Sequence, residues 1–181
     1  MYGTRMQEIA DDAGINKALL HYYFRNKNKL FEVVFQDSAV KMFQQVFKTL
    51  DSKLPLSKKI EKFVHCYIDV ISKYSYLPAF IIHEVNQNSI KVKEILENLK
   101  ENIASTFINE IKEHQKKGEI VKADPQQILV NIISLCVFPF TVKPVIQMIY
   151  DFDDKKFRQF IKKRKKYVVE VILNSLKPKQ K

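Results

Sequence analysis

Apolar residues near the start of the chain recur at threes and fours, with one interruption. Met6, Ile9, Ala10 and Ala13 share a helical face. Thr4 is a good N-cap with Gln7 three residues on, the pattern in which a glutamine reaches back to the capping residue. Gly14 supplies the positive φ that ends a helix cheaply, and Ile15 is expected to fill the corner. Asn16 caps a second helix from Lys17 to about Phe24, with Leu20 and Phe24 inward and Lys17, Ala18, His21 and Tyr22 outward. Asn26 caps a third helix that starts near Lys27.

No glycine or proline interrupts the chain from Lys27 to about Leu50, where Leu30, Phe31, Val34, Phe35, Phe43, Val46 and Leu50 recur at helical spacing. Pro55 breaks this pattern. Ser57 then caps a helix with Ile60, Phe63, Val64, Tyr67, Ile68 and Ile71 on one face, and Pro78 opens a shorter one through Glu84. A long helix runs from Ser89, through Leu96, Ile103, Phe107 and Ile111, to a stop at Gly118. Asp124-Pro125-Gln126-Gln127 combines a cap, a first-turn proline and a glutamine at the third position. The helix it opens, Ile128 to Phe138, is apolar on nearly every side and so calls for cover all round. Pro139 to Pro144 interrupts helix formation. Phe157, Phe160, Ile161, Val168, Val171 and Ile172 make a last apolar stripe. The fold class is all-α.

Composition sharpens this in three ways. Only three glycines and six prolines argue against an all-β fold, and 46% hydrophobic residues suffice for a core. The net charge of +11 favours a polyanionic partner. Cys66 and Cys136 sit inside apolar helical runs and read as buried thiols of a reduced, cytoplasmic protein. The longest apolar run, Ile128 to Val142, contains Asn131, Ser134 and Pro139 and is too short to span a bilayer, so no membrane partner is expected. Lys162 to Lys166 is a basic run that wraps the last helix and reads as a solvated face.

Two short helices crossing at a small residue, with a glycine turn between them, are the elements of a helix-turn-helix, whose second helix enters the major groove by its N-terminal residues. An ordinary helical hairpin shares this spacing. The outward side favours DNA: it carries Lys17, His21, Tyr22, Tyr23, Arg25, Lys27 and Lys29, with no acid between Asp12 and Glu32.

With Gly3-Thr4, Ile9-Ala10, Ala13-Gly14-Ile15, His21-Tyr22-Tyr23-Phe24 and Lys27-Asn28-Lys29-Leu30 in place, the chain resembles the TetR (tetracycline-repressor-like) family of transcriptional regulators. The resemblance implies a helix-turn-helix domain in residues 1–47 and a helical effector-binding and dimerisation domain in residues 48–181. It implies a ligand-responsive regulator, a repressor, that binds a near-palindromic DNA operator as a homodimer and is released by a small-molecule effector. Lys17, Ala18, Leu19 and His21 would lie at the groove floor, while Tyr22, Tyr23, Lys27 and Thr4 would hold phosphates. Leu19 departs from the family's usual Thr or Ser, and His21 from its usual Tyr. Leu19 can touch a thymine methyl but cannot read a hydrogen-bonding edge. The family also carries a helix ahead of the position of Gly3-Thr4, so Met1-Tyr2 is expected to be internal to a longer protein; a truncated form with a looser reading head is the other reading.

The resemblance further implies a dimer interface through the helices near residues 124–138 and 155–175, and a pocket between helices of the body. Candidates for the pocket are His65, Tyr67, Tyr74, Phe80, His83, Glu84 and Phe107, of which Glu84 and the tyrosines could hold a cation through charge and ring faces. No cofactor and no metal are expected. An enzyme is disfavoured: the sequence has no glycine-rich phosphate loop, no His-Glu-x-x-His and no paired cysteines at zinc spacing. A helical dimerisation or adaptor protein without DNA binding is the alternative.

Overall fold

A computed structural model describes residues 6–26, 29–30, 33, 45–46, 49–50, 54–86, 97 and 105–178. These residues form eight α-helices and no strand. The chain divides into two compact units, Met1–Lys41 and Met42–Lys181. The helix expected from Lys27 to Leu50 and the first part of the one expected from Ser89 fall largely outside the described residues.

The first unit contains α1 (Met6–Asp12) and α2 (Lys17–Phe24). The second contains α3 (Leu56–Lys73), α4 (Leu77–Asn86), α5 (Ser105–Lys116), α6 (Pro125–Thr141), α7 (Lys143–Tyr150) and α8 (Asp154–Leu176).

In the second unit α6 is the central element, touching α3, α4, α5, α7 and α8, while α3 and α8 also pack on each other. The periodicity explains the packing. On α3, Leu56, Ile60, Phe63, Val64, Ile68 and Ile71 are buried; on α5, Phe107 and Ile111; on α6, Ile128, Ile132 and Cys136. On α8 the buried stripe is Phe157, Ile161, Val168, Ile172 and Leu176. Lys59 is drawn into the same interface, where its ammonium donates to both carboxylate oxygens of Glu110 at 2.8 and 2.6 Å and links α3 to α5.

Turn chemistry sets the ends. Gly118 has φ +73; its amide donates to the Gln115 carbonyl and that of Glu119 to the His114 carbonyl, the paired bonds of a left-handed helix stop. Asp124 caps α6, accepting from the Gln126 amide at 2.8 Å, with Pro125 in the first turn. Asp153 caps α8, accepting from the Lys156 amide at 2.6 Å.

Two expectations need correction. Pro139 does not stop the helix: α6 runs through it to Thr141, and the chain bends 69° afterwards, between α6 and α7. A proline in a helix leaves the carbonyl four residues earlier without its N–H donor. Here that carbonyl is Leu135, and the Arg164 guanidinium Nε of α8 donates to it at 2.9 Å. The same contact corrects the reading of Lys162 to Lys166 as a solvated face. Lys162, Lys163 and Lys166 are exposed, but Arg164 turns inward to α6, and Lys165 pairs with Asp69 of α3. On α6, Val130 is 53% and Phe138 59% exposed, a face within the helix expected to form the dimer interface.

Both cysteines are free, Cys136 buried and Cys66 half-buried. Burial pushes the Cys136 thiol up to about 12, with the Arg164 guanidinium pulling the other way. Burial also raises the Tyr67 phenol and the Cys66 thiol above their ordinary ranges. Among the described residues no single helix is long and apolar enough to cross a membrane.

Candidate DNA-binding interface

The first unit closes on two small contacts. Ala10 of α1 is fully buried and Leu20 of α2 is 3% exposed, so the two helices cross at an alanine. The turn between them is a complete left-handed stop: Gly14 has φ +65, its amide donates to the Asp11 carbonyl at 3.1 Å, and the Ile15 amide donates to the Ala10 carbonyl at 3.0 Å. Ile15 does not fill the corner as expected. Its amide is drawn back to Ala10 while its side chain stays 40% exposed. The Gln7 side-chain amide donates forward to the Asp11 carboxylate at 2.7 Å; Thr4, its expected capping partner, lies outside the described residues.

Asn16 opens α2 by accepting from the Ala18 amide at 2.8 Å. Asn26 accepts from the Lys29 amide at 2.9 Å, the cap expected for the following helix. Since Leu20 is buried, Ala18 and Tyr22, each two residues from it, stand on the opposite side of α2. Lys17 and His21 form one flank of that side, and Leu19 and Tyr23 the other. Tyr22 is 79%, Tyr23 67% and Leu19 48% exposed, and the Tyr22 and Tyr23 rings meet edge-on with centroids 5.3 Å apart. A helix of eight residues thus presents lysine, histidine, leucine and two tyrosines with no carboxylate among them. Thr4 and Lys27 lie outside the described residues.

Crossing at Ala10 makes the unit sensitive to volume. Leucine matches alanine closely in helix propensity, so Ala10→Leu tests packing alone. Forcing the added carbons into a closed crossing costs about 1–3 kcal/mol. The expected result is faster amide hydrogen exchange across α1 and α2 with unchanged protection of α3 to α8. Undisturbed exchange in α1 and α2 would show that the crossing has room to spare.

In the body, Leu50, Ile60, Phe63, Phe107, Leu129 and Ile132 line a narrow apolar crevice with no room for a water molecule. Of the expected pocket residues whose side chains are described, Phe107 lines this crevice. Tyr67 packs beside Phe63, with ring centroids 5.6 Å apart, and His65 and Tyr74 lie elsewhere along α3 and its end. Phe80, His83 and Glu84 lie on α4, but their side chains fall outside the described residues. The other lining residues escaped sequence reasoning because aliphatic core positions carry no signal that separates a wall from ordinary core; their helical spacing was the only cue. Among the described residues no group of three or more His, Cys, Asp or Glu is placed to hold a metal.

The sequence model of the family described as "Bacterial regulatory proteins, tetR family" matches residues 1–34. The matched residues lie within the N-terminal unit, Met1–Lys41. Two Bacillus subtilis (strain 168) proteins are similar over a longer span. The "Uncharacterized HTH-type transcriptional regulator YhgD" is 20% identical over 123 residues, covering 68% of this chain and 64% of that protein. The "Probable HTH-type transcriptional regulator YttP" is 25% identical over 143 residues, covering 76% of this chain and 68% of that protein. The chain thus spans just under two thirds of the length of YhgD. A solved structure of a TetR/AcrR-family transcriptional regulator from Thermobifida fusca aligns with a TM-score of 0.67 at 12% identity, over 93% of this chain and 86% of that one. At that identity the likeness concerns the fold. The tetR-family match falls on the segment that holds α1, the Gly14 turn and α2, which is where the acid-free outward face lies.

Proposed function

We propose that the protein is a DNA-binding transcriptional regulator of the TetR type, a repressor that acts as a homodimer and is released by a small-molecule effector. The observation that carries the reading is the outward side of α2. On that side, behind a complete helix-turn-helix turn, Lys17, Ala18, Leu19 and His21 would lie at the groove floor, with Tyr22 and Tyr23 beside the phosphates. Lys27 and Thr4 would add phosphate contacts.

Support for the dimer comes from the body. Val130 and Phe138 of α6 and Tyr167 and Val171 of α8 are all more than half exposed, an apolar surface of the kind that a second copy covers. The effector is what the resemblance to the family implies; the crevice against Phe107 is closed in this structure. An effector that favours one spacing of the two reading heads would shift the dimer away from the half-site separation of its operator. The cell compartment that fits this role is the cytoplasm, at the nucleoid.

The test is binding of the full chain to fragments from the region upstream of its own gene, across a salt series, with sizing of the complex. Sequence-selective binding by a dimer, weakening steeply with salt, is the expected result. Lys17→Ala should lower affinity and change which sequence is preferred, whereas Lys27→Ala should weaken all sequences alike. A chain that prefers no sequence, either here or in a random-sequence selection, is not a regulator of this kind; a helical dimerisation protein would then be the better account.

A further inference from the structure

His21 occupies the flank of α2 beside Lys17, and its ring is held in one orientation. Its Nδ1 lies 3.1 Å from the carbonyl oxygen of Arg25. A carbonyl oxygen only accepts, so Nδ1 carries the hydrogen and donates it. The carbonyl is available because α2 ends there. Arg25 is the C-cap, with φ 54, its own amide donates to the His21 carbonyl at 2.8 Å, and the last carbonyls of a helix have no amide of the same helix to receive. The two residues are thus tied both ways: backbone to backbone through the Arg25 amide, and side chain to backbone through the imidazole.

This bond decides what the outer edge of the ring can recognise. A neutral imidazole has one N–H and one bare nitrogen, so Nε2 is an acceptor. A bare acceptor has nothing to donate to a phosphate oxygen, to N7 or O6 of guanine, or to O4 of thymine. In the major groove the donors are the exocyclic amines, N6 of adenine and N4 of cytosine. A tyrosine hydroxyl at the same place could donate to a phosphate; the neutral imidazole with its Nδ1 hydrogen already engaged cannot.

We infer that His21 is a specificity-determining residue that reads an exocyclic amine, so that one position of each half-site carries adenine or cytosine on the strand that His21 faces. The inference rests on the DNA-binding reading above and names the base chemistry of one of its contacts. The groove-floor position of His21 comes from that reading; its own hydrogen bond sets the chemistry that the outer nitrogen offers there, and Arg25 takes a positioning role through its backbone.

The test is random-sequence selection with the full chain at pH 8, using the wild type, His21→Ala and His21→Lys. His21 is exposed, so neither substitution disturbs the crossing at Ala10 and Leu20. The wild-type motif should show one position restricted to adenine or cytosine on one strand. His21→Ala should flatten that position by about fivefold, the factor that a single hydrogen bond of ordinary strength supplies, and leave the rest of the motif intact. His21→Lys, which can only donate, should move the preference there to guanine or thymine. If both variants keep the wild-type motif, or lose affinity for all sequences alike, His21 does not read a base, while the regulator reading stands. If the wild type enriches no sequence, the regulator reading falls and the role of His21 with it.

Discussion

Phe107→Ala should lower the stability of the body by about 3–5 kcal/mol, the range for emptying a large buried aromatic site. Phe107 is 2% exposed and projects from α5 into the wall shared by α3 and α6. The wall cannot collapse easily, because α6 is held on its other sides by α4, α7 and α8. The cost therefore includes a residual cavity as well as the lost transfer free energy. That cavity would join the crevice already lined by Ile60, Phe63, Leu129 and Ile132, so every wall would remain apolar. Such cavities stay dry and take up small apolar molecules. The expected result in thermal unfolding is a large drop in Tm that millimolar benzene or indole partly restores. A drop of less than about 1 kcal/mol would mean that the helices relax into the space.

Arg164→Met should cost about 1–3 kcal/mol, much more than a typical surface substitution. The reason lies on another helix. Pro139 removes the N–H that would have met the Leu135 carbonyl, and the Arg164 Nε supplies a donor in its place. Replacing Arg164 by an apolar side chain of similar length keeps most of the packing and leaves that carbonyl without its guanidinium donor. The cause can be isolated by a double-mutant cycle. In a Pro139→Ala background the helix regains its own N–H, so loss of Arg164 should cost at least about 1 kcal/mol less than in the native background. Chemical denaturation of the four proteins measures this coupling. Equal costs in both backgrounds would show that Arg164 contributes through packing or charge and not by replacing the missing donor.

These two residues show where sequence reading works and where it stops. Phe107 was legible as a buried position because it falls on the same face as Ile111, and amphipathic spacing is a local property of a helix. Its place in a crevice with Phe63, Leu129 and Ile132 was not legible, because those partners come from helices far apart in the chain. Arg164 looked like one cation among five between Lys162 and Lys166. Nothing in that run distinguishes the residue that meets a carbonyl of α6 from its exposed neighbours. Pro139 looked like a stop for the same reason: its penalty is local, and the group that offsets it sits on α8.

Residue type and spacing alone were enough for the helical class, the caps at Asn16, Asn26 and Asp124, and the glycine stops at Gly14 and Gly118. They also determined the acid-free outward side of α2. Each depends on neighbours within a turn or two, where residue type and spacing suffice. Only the tertiary structure decided that α6 passes through Pro139, that Lys59 is buried against Glu110, and that Phe138 stays open to solvent. It also decided how His21 presents its ring, since that orientation needs the Arg25 carbonyl at the particular end that α2 adopts. The physical reason is common to all four: a polar or charged group is settled by whichever partner comes within hydrogen-bonding distance, and an apolar one by whatever covers it, and the local pattern names neither.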